Sequence, residues 1–238
     1  MDWDQVVQKV SSHIVKIGTP YGHGTGFLFL YNEDKTWCGV ATAAHVVSNA
    51  DEWQQPIRIY HQESTAFLSV TDRVIILDLN TDSAVVLFPI DKLQLPENPI
   101  SLSPVGASLN IGIEVGWLGF PAIAPSLCFF AGNISARQEH RNAYLIDGVA
   151  INGVSGGPVL ITSQAEGIQI VGIVTAYQAN RATGEALPGL SIAQDVSHFH
   201  AVANHVRSVD EGVRKKKEFE ASQKSSTATG MTEGFPNN

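Results

Sequence analysis

The stretch Asn152-Gly153-Val154-Ser155-Gly156-Gly157-Pro158 decides how this chain is read. It sets one serine among three glycines, between the apolar runs Val149-Ala150-Ile151 and Val159-Leu160-Ile161. A serine hydroxyl becomes a useful nucleophile only when a base takes its proton and nearby donors hold the oxyanion that forms. Gly153 offers a backbone N–H with no side chain to obstruct a substrate, and Ser155 offers a second, so the two form a candidate oxyanion hole. Gly156, Gly157 and Pro158 suit a sharp, crowded turn into the next strand. The competing reading of this stretch alone is a glycine-rich hairpin loop with an incidental serine.

Two further stretches supply the partners such a serine needs. Val40-Ala41-Thr42-Ala43-Ala44-His45-Val46-Val47 places a histidine after a run of small residues, which leaves room for an imidazole to face a cleft. Thr81-Asp82-Ser83-Ala84-Val85-Val86-Leu87-Phe88 places a carboxylate immediately before an apolar strand, where it can bond the far nitrogen of that imidazole. An acid at a strand start is more often a turn residue. Asp78, within Leu77-Asp78-Leu79, is the rival candidate, and Asp72 a weaker one.

The order His45, Asp82, Ser155 resembles that of the trypsin/chymotrypsin superfamily of serine peptidases; other folds carry the same chemistry in other orders. The sequence is most similar to the disulfide-poor bacterial HtrA-type members. Thr42–Val47, Asp82–Val86, Gly119-Phe120-Pro121 and Gly153–Pro158 carry the resemblance, and it spans roughly residues 5–200. It implies an all-β fold of two six-stranded antiparallel β-barrels with a C-terminal helix. It also implies a serine endopeptidase with catalytic residues His45, Asp82 and Ser155 and oxyanion donors Gly153 and Ser155. The family pattern puts the base of the pocket for the residue before the scissile bond at Val149. The strand Val171–Ala176 is similar to the one that pairs with substrate; Thr175 on it and Tyr177 just after it complete the expected pocket. An apolar pocket base implies cleavage after small or medium apolar residues. The expected partner is a protein or peptide substrate.

The bulk composition agrees. Hydrophobic residues make up 44% and charged residues only 16%, which suits a compact, strand-rich protein. The formal charge of −8 does not favour nucleic acid as a partner. No apolar run approaches ~18 residues, so no membrane span is expected. The start, Met1-Asp2-Trp3-Asp4-Gln5, lacks the features of a secretory leader, and the only cysteines are Cys38 and Cys128. A cytoplasmic protein with two buried free thiols is the expectation.

Periodicity predicts a short entry helix over Trp3–Val10, with Val6, Val7 and Val10 on one face. Strands are predicted at Ile14–Gly18, Gly26–Tyr31, Trp37–Ala41, Ile57–Tyr60, Phe67–Leu77 and Ser83–Phe88. A second series follows at Ile113–Gly119, Leu127–Ile134, Ala143–Ile146, Pro158–Ile161, Ile168–Tyr177 and Gly189–Ala193. These divide the chain into a first barrel over 1–97 carrying His45 and Asp82, and a second over 98–195 carrying Ser155. A helix is expected over 196–214 and a solvated, disordered tail over 215–238.

Other motifs carry less. Gly22-His23-Gly24-Thr25-Gly26 lacks the ending of a phosphate loop and is taken as a hairpin turn. His198 and His200 are spaced so that on a helix they diverge, and no metal or other cofactor is expected. No Ile-Val-Gly-Gly type start is present for activation by cleavage, and no appended PDZ module is expected. Control by an activating partner that orders the loops Ala136–Asn142 and Gln178–Leu187 is the expected alternative to constitutive activity. A protease with one dedicated substrate and a non-catalytic protease-fold binding protein are the competing readings of function.

Overall fold

The computed structural model describes residues 2–163, 166–179 and 186–229. Most of the loop Gln178–Leu187 and the end of the expected tail therefore lie outside the described residues.

The chain opens with helix α1 (Trp3–Val10), which buries Val6 and Val10 as its periodicity predicts. The first half then builds β1 (Ile14–Thr19), β2 (Gly22–Tyr31), β3 (Trp37–Ala43), helix α2 (Ala44–Glu52), β4 (Ile57–His61), β5 (Ser64–Leu68), β6 (Val74–Asp78) and β7 (Ser83–Pro89). They form one seven-stranded antiparallel sheet in the order β5-β4-β1-β2-β3-β7-β6. The second half contributes β8 (Glu114–Gly119), β9 (Cys128–Gln138), β10 (Ala143–Asp147), β11 (Pro158–Ser163), β12 (Gly167–Ala179) and β13 (Ala186–Asp195). These close into a six-stranded barrel in the order β10-β13-β12-β11-β8-β9.

The expected six-stranded first barrel is thus corrected to a seven-stranded sheet. The extra strand comes from the segment Phe67–Leu77, whose pattern predicts one strand and which forms two, β5 and β6. The side chain of Asp72 accepts from the Ser69 amide at 3.0 Å and caps a single helical turn over Val70–Asp72, which separates β5 from β6. Helix α2, not anticipated, follows β3 without a loop. Helix α3 runs from Ser197 to Thr229, past residue 214 where the sequence reading ended it. The extra turns carry the i, i+4 pairs Lys215–Glu211 (2.7 Å) and Lys216–Glu220 (3.9 Å), which favour helix over coil.

The described residues form three cores. One lies inside the first sheet around Val15, Ile17, Leu28, Val40, Ile59 and Phe88. Another fills the second barrel around Trp117, Tyr144, Ile146, Val159 and Val174. A third joins the halves: Phe27 and Phe29 of β2, Leu118, Leu160 and Ile173 of the barrel, and Phe199 of α3. Strand β2 is buried on both faces because alternate residues serve different cores, Leu28 one and Phe27 and Phe29 the other.

The terminal helices cross between halves. Trp3 of α1 packs on Phe129 of the second barrel (5.3 Å between ring centroids) and donates to Glu114 (3.0 Å). Helix α3 leaves the barrel and lies against the first sheet. There Phe199 packs on Phe27 and Phe29, and Arg214 and Lys217 pair with Glu33 (3.0 Å) and Asp34 (3.4 Å). Asp195 anchors the start of α3: it accepts from the Ser197 amide (3.0 Å) and pairs with Arg137 (2.8 Å).

Cys38 is buried, and burial pushes its thiol up to about 12. Cys128 is only partly buried, which corrects the expectation of two buried thiols.

Candidate active site

His45 is the second residue of α2, so its position depends on how that helix begins. The first amides of a helix have no partner within it. Here Asp82 satisfies two of them: its carbonyl accepts from the Ala44 N–H (3.0 Å) and its carboxylate Oδ1 from the His45 N–H (2.9 Å). The other oxygen, Oδ2, lies 2.7 Å from His45 Nδ1. A carboxylate only accepts, so Nδ1 carries the hydrogen and Nε2 is left as the basic nitrogen. Asp82 makes these contacts from a left-handed backbone conformation (φ 49°) just before β7. The imidazole is about half exposed and the carboxylate one-third exposed, which places the pair in a cleft wall.

The rivals are occupied elsewhere. Asp78 accepts from the Asn80 (2.9 Å) and Thr81 (3.4 Å) amides and faces His198 at 3.6 Å. Asp72 pairs with Lys92 at 2.8 Å, and with Ser69 also bonding it, its carboxyl is held down at about 2.

The Ser155 loop is shaped by two turns, Val154 N–H to Ile151 carbonyl (3.0 Å) and Gly157 N–H to Val154 carbonyl (2.9 Å). Gly156 has φ +86°, and a Cβ there would lie 2.1 Å from the Thr25 carbonyl oxygen. Gly153 has φ +95°, and its Cβ would lie 2.3 Å from the Phe120 carbonyl oxygen. No other residue fits either position. Among the described residues, neither the Gly153 nor the Ser155 amide has an intramolecular acceptor, so both are available to a ligand. Ser155 and His45 line one cavity of about 360 Å³, with His23, Ala122, Asn152 and Gly153 around them.

Thr25 fastens this loop to the first sheet. Its hydroxyl donates to the Gly153 carbonyl (2.7 Å) and accepts from the Phe120 N–H (2.9 Å), while its own amide donates to the Ser155 carbonyl (2.8 Å). Thr42 in turn donates to the Thr25 carbonyl (2.7 Å). The sequence reading missed Thr25 and His23 by treating Gly22–Gly26 as a hairpin turn; the segment is the first half of β2. The signal was the glycine pair. A Cβ at Gly24 would meet Val46 at 2.5 Å and the Ser155 carbonyl at 3.1 Å, and glycines inside a strand mark such close approaches.

The expected specificity residues lie outside the Ser155–His45 cavity. Val149 and Tyr177 are about half exposed, whereas Thr175 is buried and its hydroxyl donates to the Ile192 carbonyl at 3.4 Å.

A family model for the trypsin-like peptidase domain matches residues 24–173. A search of curated proteins gives no significant match. Among solved structures, the chain is similar to the Rv3671c protease of M. tuberculosis H37Rv in its inactive form. For that structure the TM-score is 0.58 at 19% identity, covering 84% of this chain and 92% of that one. An inactive mutant of the same protein gives 0.59 at 18% identity, covering 85% and 90%. The serine endoprotease from Yersinia pestis gives 0.62 at 20% identity, covering 87% of this chain and 67% of that one. At these identities the structures establish the shared fold, and the family match, which spans most of the chain, establishes membership: the chain belongs to the trypsin-like peptidases, the serine endopeptidases that its sequence resembles.

Proposed function

We propose that this peptidase cleaves peptide bonds by acyl transfer, with Ser155 as nucleophile, His45 as general base and Asp82 as the group that orients His45. The observation that carries the reading is the 2.7 Å bond from His45 Nδ1 to Asp82, which reserves Nε2 as the proton-accepting nitrogen of the neutral imidazole, in a residue that lines one cavity with Ser155. In the reaction, Ser155 Oγ attacks the substrate carbonyl carbon and its proton passes to His45 Nε2. The carbonyl π electrons move onto the oxygen, and the oxyanion accepts hydrogen bonds from the Gly153 and Ser155 amides. Collapse breaks the C–N bond, and His45 returns the proton to the departing amine. Water then repeats the sequence on the acyl-enzyme and releases the acid. None of the three residues assigned to the pocket, Val149, Thr175 and Tyr177, is charged, which supports small or medium apolar side chains before the scissile bond.

The test is labelling by a fluorophosphonate, which reacts with activated serines, together with turnover of an apolar peptide library. Labelling is expected in the native protein and lost in Ser155→Ala, with kcat reduced about 10⁴-fold or more in Ser155→Ala and His45→Ala. Labelling that survives in Ser155→Ala refutes the assignment. Preferential cleavage after Arg or Lys refutes the specificity.

A further inference from the structure

A second groove continues from the Ser155–His45 cavity across the outer face of the first sheet. Strand register sets its composition. His23 of β2 stands opposite Gly18 of β1, Gly18 opposite Arg58 of β4, and Arg58 opposite Phe67 of β5. Directly opposed residues share a face, so these four form one row across four strands. Gly18 contributes no side chain of its own to that row, and the Tyr60 ring leans over it, 3.0 Å from where a Cβ at Gly18 would be. Lys16 and Tyr60, the next opposed pair, flank the row. The resulting cavity is about 380 Å³ and shares Thr19, Gly22 and His23 with the catalytic one.

The row begins at the oxyanion loop. His23 Nε2 donates to the Phe120 carbonyl (3.1 Å), and its ring lies 2.6 Å from where a Gly153 Cβ would be. Among the described residues, neither cavity is lined by β12, the strand assigned to the substrate residues before the scissile bond. A chain entering the groove is therefore the part that follows that bond.

The groove is cationic on an acidic protein. Lys16 and Arg58 line it and, among the described residues, no carboxylate does, although the chain carries a net charge of −8. Among the described residues neither cation is paired with a carboxylate, whereas Lys35, Lys92, Arg137, Arg214 and Lys217 are. The Arg58 guanidinium sits over the exposed Phe67 ring at 5.8 Å, which holds its fork in place while leaving its N–H groups open. From His23 to Arg58 is two strand spacings, ~10 Å, and an extended peptide advances ~3.3 Å per residue.

We infer that the groove formed by Lys16, Gly18, His23, Arg58 and Phe67 binds the substrate segment after the scissile bond and selects an acidic side chain about three residues beyond it. Arg58 forks onto that carboxylate, Lys16 adds a second cation, and the Tyr60 ring over Gly18 gives the peptide an aromatic floor. The inference rests on the peptidase reading above, and the experiment separates the two.

Ser155→Ala protein is titrated with a fluorescein-labelled decapeptide carrying valine before the bond and glutamate three residues after it. The twin peptide carries glutamine there. Loss of a charge-assisted bond predicts binding of the twin about tenfold weaker, a difference that shrinks with added salt and disappears in the Lys16→Gln/Arg58→Gln double variant. Equal affinity of the twins, no binding of either, or a preference that survives in the double variant overturns the inference. The comparison of twins on the unaltered groove stands even if the double variant fails to fold. Fluorophosphonate labelling of the native protein reads the catalytic assignment separately. Labelling with equal twins leaves the peptidase and removes the groove; twin discrimination without labelling does the reverse.

Discussion

Replacing Thr25 by valine tests how far the two halves of the site depend on one hydroxyl. The side chain is fully buried, and valine matches its shape while exchanging hydroxyl for methyl. Two backbone groups lose their partners, the Gly153 carbonyl and the Phe120 N–H. Each unsatisfied buried group costs about 1–3 kcal/mol, so the total lies near 2–6 kcal/mol. Part of this appears as lost stability. The rest appears in catalysis, because the peptide unit following Gly153 loses its tether while the Gly153 amide has to meet the oxyanion. Complete loss of one oxyanion donor costs about 10²–10³ in kcat, which sets the ceiling. The expected effect of Thr25→Val is a fall in kcat of about 10–100-fold with KM within about threefold, and Thr25→Ser restoring most of it. Steady-state kinetics on a peptide substrate, paired with thermal melts of each variant, give the measurement. An unchanged kcat alongside a lowered melting temperature makes Thr25 a structural strut only, and the positioning argument fails.

Asp82→Asn retains a side-chain oxygen to accept from the His45 amide but no longer fixes the imidazole tautomer. A drop of about 10⁴ in kcat is expected by analogy with other Ser-His-Asp sites, and pre-steady-state kinetics showing near-native acylation contradicts it. Arg73, buried, donates to the carbonyls of Gln55 (2.7 Å), Leu68 (2.9 Å) and Ala50 (3.3 Å) and so ties the end of α2 to β5. Arg73→Met strands these acceptors and lowers stability by about 2–4 kcal/mol in urea denaturation; a change below about 0.5 kcal/mol refutes that role. Burial holds His198 below its ordinary value of 6.5, against the opposing pull of Asp78. The folded state therefore disfavours its protonation, so the contribution is present above pH 6.5 and is lost as pH falls through the lowered value. The melting temperature is expected to fall between pH 7 and 5, and to fall less in His198→Gln; identical profiles dismiss the coupling.

The sequence showed the strands well because most are bounded by glycine, proline or acidic residues. The valines of Trp3–Val10 gave α1 through their helical spacing. It did not show α2, whose first residues sit within the histidine motif and whose helical start is set by Asp82, 37 residues away in the chain. The choice of Asp82 over Asp78 was not decided by pattern either, since both are acids at strand ends. It is decided by the left-handed turn that aims one carboxylate at His45 and by the local amides that occupy the other. The break at Ser69–Asp72 depends on a side-chain cap within an otherwise strand-like run. Thr25 was invisible for a different reason: the three bonds of its hydroxyl and amide that fasten the serine loop all reach the second half of the chain, which a local reading of Gly22–Gly26 does not see.

The exchanged ends have a thermodynamic consequence. The chain's first helix sets Trp3 on the second barrel and its last helix sets Phe199 on the first sheet, while Val6, Val10 and Val202 join the core between the halves, so each half is completed by a segment that starts or finishes the other. Separating the halves strips Trp3 from Phe129 and Phe199 from Phe27 and Phe29 at once. A species with both halves folded but parted therefore has little to hold it. Denaturation is expected as a single cooperative event, in which His45 and Ser155 come apart only when the molecule as a whole does.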